Sequence, residues 1–134
     1  METLNRLQPY VLSLLRIIVG LLFMQHGLSK LFGFPAGTGF PAFLSQTWFE
    51  GCIELIGGGL IVIGLFTGFA AFITSGEMAI GYFLVHAPKS FFPYVNGGNL
   101  AVLYCFVFFY LVFAGAGPIS LDALIWEKKG NSPR

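Results

Sequence analysis

Long apolar runs, each interrupted by a few charged positions, dominate the chain. The first covers Pro9 to Phe34, PYVLSLLRIIVGLLFMQHGLSKLFGF, and is apolar enough to cross a bilayer although it carries Arg16, His26 and Lys30. At about 100° per residue, Arg16, Gly20, Phe23, Gly27 and Lys30 fall on one helix face, with His26 at its edge. A charge at bilayer depth costs roughly 2.5–3.5 kcal/mol on insertion scales, so this face is expected to look inward, onto other helices or water.

Three further runs follow, at about Trp48–Phe66, Thr67–Ala87 and Asn99–Ala116. The second helix carries Glu50 and Glu54 on one face, with Gly57, Gly58 and Gly59 beyond them, and small residues let a neighbouring helix come close. The connection around Thr67 and Gly68 is so short that the third helix must return antiparallel beside the second. It holds Glu77 near its middle and His86 near its end. On the last helix Asn99, Phe106, Tyr110, Phe113 and Gly117 share a face.

Between the runs lie GFPAGTGFPAFLSQ and PKSFFPYVNGG, too rich in Pro and Gly for a span and too apolar for free soluble loops. Both read as segments at the membrane interface, the first a loop or re-entrant segment with a short helix near Pro41–Gln46. Met1 to Gln8 reads as a polar lead, with Pro9 in a first helical turn. After GAGP, Ser120 is a good N-cap, and Leu121, Leu124, Ile125 and Trp126 opposite Glu127 and Lys128 suggest a short amphipathic surface helix. The expected fold is therefore all-α: one transmembrane domain, an integral membrane four-helix bundle with spans at about 10–32, 48–66, 67–87 and 99–116, interfacial loops and a short C-terminal amphipathic helix.

Composition agrees with that pattern. The 134 residues are 56% hydrophobic and only 10% charged, with sixteen Phe, which is a membrane composition and not that of a soluble core. A formal charge of +1 offers no basic field for nucleic acid. Cys52 and Cys105 form no CxxC, disulfide scaffold or metal site, and two small buried side chains describe them better than a redox pair. No small-residue cleavage pattern precedes the charges of the first run, so it reads as an uncleaved span. Arg6, Lys128, Lys129 and Arg134 against Lys30 and Lys89 place both termini in the cytoplasm by the positive-inside rule.

Depth along each helix then groups the polar residues. His26 and Glu54 each lie six residues from the outer end of their helix, about 9 Å inside at 1.5 Å per residue. An outward-half ligand pocket is expected on His26, Lys30 and Glu54, with Asn99 as a hydrogen-bonding wall. Nearer the cytoplasm Arg16 has Glu77 as first-choice ion-pair partner, with Asp122 competing and Glu54 reachable only if the helices slide by more than a turn. His86 points about 180° from Glu77 and is placed at the interface instead of in the site.

The segments LRIIVGLLFMQHGLSKLFGF, ELIGGGLIVIGLFT, EMAIGYF, the GN opening the last span and GPISLD resemble the DoxX family of small four-helix bacterial membrane proteins, over about Leu14 to Leu124. That resemblance implies a multi-pass inner-membrane protein with cytoplasmic termini, associated with quinone-linked oxidoreduction as a partner of another redox protein. The matching positions include Arg16, Lys30, Glu54 and Asn99, to which the match assigns no catalytic role.

Two functional readings follow. In the first, the pocket binds a quinone-like or other small polar-headed ligand, with its ring among Phe23, Phe34, Phe40 and Phe106; no cofactor is held covalently, and a separate redox protein supplies electrons. His26 or Lys30 would bond a carbonyl and Glu54 would exchange a proton. In the second, the chain is a non-catalytic assembly subunit whose buried charges fix helix register, with lipid, a partner or a second copy on its outer faces. A transporter would show an internal repeat, and none is visible between the halves.

Overall fold

A computed structural model describes residues 1–127; Lys128, Lys129 and Arg134, counted above for topology, lie outside the described residues. Within them the fold is all-helical, with no strand. The helices are α1 (Glu2–Phe32), α2 (Gln46–Ile63), α3 (Thr67–Gly81), the short α4 (Pro93–Asn96) and α5 (Asn99–Ala114). A widened π-type turn, Tyr82–His86, and a 3₁₀ turn, Ala87–Lys89, prolong α3. A second π-type turn, Ala123–Glu127, ends the described chain.

The sequence supplies caps at several helix ends. Gly33, at φ 70°, closes α1 by donating its N–H to the Ser29 carbonyl at 3.0 Å. Ser45 opens α2 by accepting the Trp48 N–H at 3.2 Å. The expected short helix near Pro41–Gln46 is instead a turn, Ser45 N–H to Ala42 carbonyl at 3.0 Å, because this serine is committed to capping α2. Gly64, at φ 69°, ends α2 three residues before the expected Phe66, which itself sits at φ 48° in the turn to α3. The N-terminal lead is also helical: α1 starts at Glu2 and keeps Pro9 inside it, giving up one backbone bond where Glu, Leu, Arg and Gln favour the helix. Ser120 caps the last described turn, accepting the Ala123 N–H at 3.0 Å.

Packing runs α1 on α2, α2 on α3 and α3 on α5 backbone to backbone, while α1 and α5 stand further apart and meet through their aromatic side chains. The buried positions of α1 are Ser13, Arg16, Gly20, Phe23 and Gly27, the expected stripe moved one turn toward the N-terminus, with Lys30 at its other end half-buried. Glycine sets the α1–α2 spacing, since a Cβ on Gly27 would stand 2.5 Å from the Leu55 nitrogen and 2.8 Å from the Gly51 carbonyl oxygen. Phe23 is the centre of the core, edge-on to Tyr104 at 5.2 Å and to Phe108 at 4.8 Å. Ile61, Ala70, Ala71 and Leu111 complete it.

The α5 face expected to look inward does not: Tyr104, Phe108 and Leu111 are buried, while Asn99, Phe106, Tyr110 and Phe113 are exposed. A helix that is apolar all round carries no stripe from which the buried side can be read. Around the whole molecule, large apolar side chains such as Phe69, Phe72, Phe83 and Phe113 face out, whereas Arg16, Glu54, Thr67 and Thr74 are buried. Polar groups inside and aromatic groups outside suit an apolar solvent. Glu2–Phe32 and Thr67–Lys89 are long and apolar enough to cross a membrane; α5 is apolar but has 16 residues.

Candidate functional site

A cavity of about 290 Å³ opens where α1, α2, α3 and α5 meet toward the end that carries the two irregular loops. Its walls are Phe23, His26 and Lys30 of α1, Glu54 of α2, Met78 of α3, His86, Gly97, and Leu100, Ala101 and Tyr104 of α5. Three of the four residues expected to form the site are thus brought together. Asn99 is not: it is exposed and absent from the lining, since the first turn of α5 turns Leu100 and Ala101 to the cavity. Of the expected ring-binding phenylalanines Phe23 alone lines it; Phe34, Phe40 and Phe106 face outward, and Tyr104 takes their place.

Charge enters the cavity as a chain. Lys30 Nζ donates to Glu54 Oε1 at 2.8 Å and to Glu50 Oε2 at 3.2 Å, and Gln46 donates to Glu50 Oε1 at 3.0 Å. Glu54 is only 2% exposed, whereas Glu50 and Lys30 keep about a quarter to a third of their side chains open. The inner bond therefore lies in lower dielectric and is the stronger of the two. The Glu77 carboxyl meets that of Glu54 across the α2–α3 contact. The Oε2 atoms of both are buried without a hydrogen-bond partner. His26 stands edge-on to Tyr104 at 5.8 Å.

Over the mouth, Asn96 organises the loop. Its amide donates to the Tyr82 hydroxyl at 3.1 Å and to the Ser90 carbonyl at 2.9 Å, and its Oδ1 accepts the Gly98 N–H at 2.8 Å. Its own carbonyl lies 3.1 Å from His86 Nδ1. His86 therefore belongs to the cavity and not, as expected, apart from it, because the widened turn Tyr82–His86 rotates it away from regular helical spacing. Sequence reading missed Asn96 as well; its signal was the Asn-Gly-Gly that needs a positive φ, found at Gly97 (77°).

At the opposite end of the molecule Arg16 does not pair with Glu77. Its guanidinium donates to the carbonyls of Ile61 (2.8 Å), Val62 (3.2 Å), Ile119 (2.7 Å) and Ala116, and so serves carbonyls in the last turn of α2. Glu77 is out of range because it lies ten residues up α3 from the turn, about 15 Å away. Nor does Asp122 form an ion pair with Arg16: its two oxygens accept the N–H groups of Phe66 (2.8 Å) and Thr67 (3.0 Å), capping α3 from 55 residues away. Ser13 fastens the same corner, donating to the Ala116 carbonyl and accepting the Ile119 N–H, each at 3.1 Å.

The family model named DoxX matches residues 11–87, the segment that supplies Arg16, His26, Lys30, Glu54, Glu77 and His86. The chain belongs to the DoxX family. It is a DoxX family membrane protein, 42% identical over 96% of its length to an uncharacterized Haemophilus influenzae protein that it covers completely. It is also 30% identical, over 88% of its length and 89% of the relative's, to a Bacillus subtilis protein named "Putative oxidoreductase CatD". A second uncharacterized H. influenzae protein matches over 54% of this DoxX chain at 32% identity. No solved structure matches it significantly.

Proposed function

We propose that this DoxX protein is a multi-pass subunit of the bacterial inner membrane that binds a quinone-like or other small polar-headed ligand in the cavity and works with a separate electron-transfer protein. Four spans would be given by α1, α2, prolonged α3 and α5, with the cavity in the outward half and both termini cytoplasmic. The supporting observation is the cavity itself, in which one open cleft combines aromatic walls, a lysine and a histidine, and a buried carboxylate with an unpartnered oxygen. Phe23 and Tyr104 would flank a ring, Lys30 or His26 would donate to its carbonyl, and Glu54 would exchange the proton. The name of the B. subtilis relative agrees with a redox setting. Lipid, the partner or a second copy of the chain would meet the exposed aromatic faces.

Equilibrium binding of short-chain ubiquinone and menaquinone analogues to the purified protein in lipid nanodiscs tests this reading. Wild type binds, and His26→Ala and Glu54→Gln each weaken binding at least tenfold while the helical circular dichroism is kept. Unaltered binding by both variants overturns it.

A second reading is favoured by Arg16 and Asp122, buried charges engaged wholly with backbone. In it the chain is a non-catalytic assembly subunit whose charges set register. Glu54→Gln would then lower stability or complex yield and leave ligand binding as it was.

A further inference from the structure

Three carboxyl groups, Glu50, Glu54 and Glu77, gather around one ammonium, Lys30. The other titratable groups facing them are His26 from α1, His86 from the extension of α3 and Tyr104 from α5. Lys30 bonds Glu50 and one oxygen of Glu54, and among the described residues no cation forms an ion pair with Glu77. Glu54 is buried to 2% exposure, faces Glu77, and both keep an Oε2 atom with neither a donor nor water-accessible surface. Bare buried carboxylate oxygens are costly, and two facing carboxylates repel strongly where the dielectric is low. A single proton placed between them removes one charge and supplies the donor that both oxygens lack.

We infer that Glu54 and Glu77 hold one proton in common, so that the cavity contains a built-in proton store of which Glu77 is the inner half. Gln46 and the partly exposed Glu50, linked through Lys30 to Glu54, form the polar path by which that proton exchanges with the exterior. Glu77 is then a proton-holding residue of the site, and the store exists whether or not a ligand is bound. The inference uses the same cavity as the proposed function but not its ligand, so the two fail separately.

Infrared spectroscopy of the ligand-free protein in lipid at neutral pH provides the test. Wild type shows the C=O band of a protonated carboxylic acid, which shifts in D₂O. Glu77→Gln and Glu54→Gln each abolish the band, and Glu50→Gln retains it. Absence of the band from wild type, with imidazolium bands from His26 or His86 balancing the charge instead, overturns the inference without recourse to any variant. A band that survives in Glu77→Gln overturns it too. If a glutamine variant does not fold, Glu77→Asp serves in its place and must shift the band.

Discussion

Arg16 and Asp122 hold opposite halves of one turn: the guanidinium collects the carbonyls that end α2, and the carboxylate collects the amides that begin α3. Each charge sits at the helix end whose dipole favours it, cation at the C-terminus and anion at the N-terminus. The turn between them is tight, with Gly64 and Phe66 both at positive φ. The same arginine also holds the chain after α5 through Ile119 and Ala116, so one side chain ties α1, α2 and the C-terminal segment together.

Replacing Arg16 by Leu is expected to destabilise the protein by about 3 kcal/mol, because several buried carbonyls lose a charged donor together. Arg16→Lys recovers only part, since an ammonium lacks the planar fork that reaches carbonyls on two segments at once. Asp122→Ala, which removes a cap, costs less, about 1–2 kcal/mol. Denaturation midpoints in detergent micelles measure all three, and a neutral Arg16→Leu contradicts the clamp.

Glycine spacing between α1 and α2 gives a paired expectation. Gly27→Ala must push the Leu55 backbone away and is expected to cost about 1–3 kcal/mol. Gly76→Ala, inside α3 with open space where its Cβ would go, is expected to be neutral or stabilising by up to about 1 kcal/mol. Thermal unfolding of the two variants side by side checks it.

The two bonds of Lys30 differ in worth. Glu50→Gln should change stability by less than about 1 kcal/mol, as partly exposed pairs do. Lys30→Met strands Glu54 in the interior and should cost roughly 3 kcal/mol. Adding Glu54→Gln to Lys30→Met should then restore part of the loss, which a double-mutant cycle reads directly.

The loop around Asn96 offers a further contrast. Asn96→Ala removes the bonds to Tyr82, Ser90 and Gly98 and should speed amide hydrogen exchange over residues 86–98. Asn99→Ala, at an exposed position, should leave exchange there unaltered.

Which features could be read in advance depended on whether side chains or backbone carried them. The buried stripe of α1 from Arg16 to Gly27 and the gathering of His26, Lys30 and Glu54 at one cavity follow from helical spacing and depth, and both are present, although it is Lys30 and not the level His26 that bonds Glu54. The sequence points Arg16 to a carboxylate because carboxylates have a letter in it and backbone carbonyls do not. Glu54 and Glu77 could have been matched by counting from their shared turn, nine residues before Ile63 and ten after Thr67, had depth been measured from the turn and not from separate helix ends. His86 and Asn96 were hidden by irregular backbone, a widened turn and a Pro- and Gly-rich loop, where periodicity no longer tells which way a side chain faces. The inward side of α5 was hidden by the opposite condition, a helix apolar on every face.

Occupancy of the cavity by a ring is the central claim, and photolabelling with an azidoquinone tests it most directly. Adducts mapped by mass spectrometry on the protein in lipid should concentrate on Phe23, His26, Leu100, Ala101 and Tyr104, and excess unlabelled quinone should suppress them. Adducts scattered over outward residues such as Phe69, Phe72 and Phe113, unaffected by competitor, would contradict it.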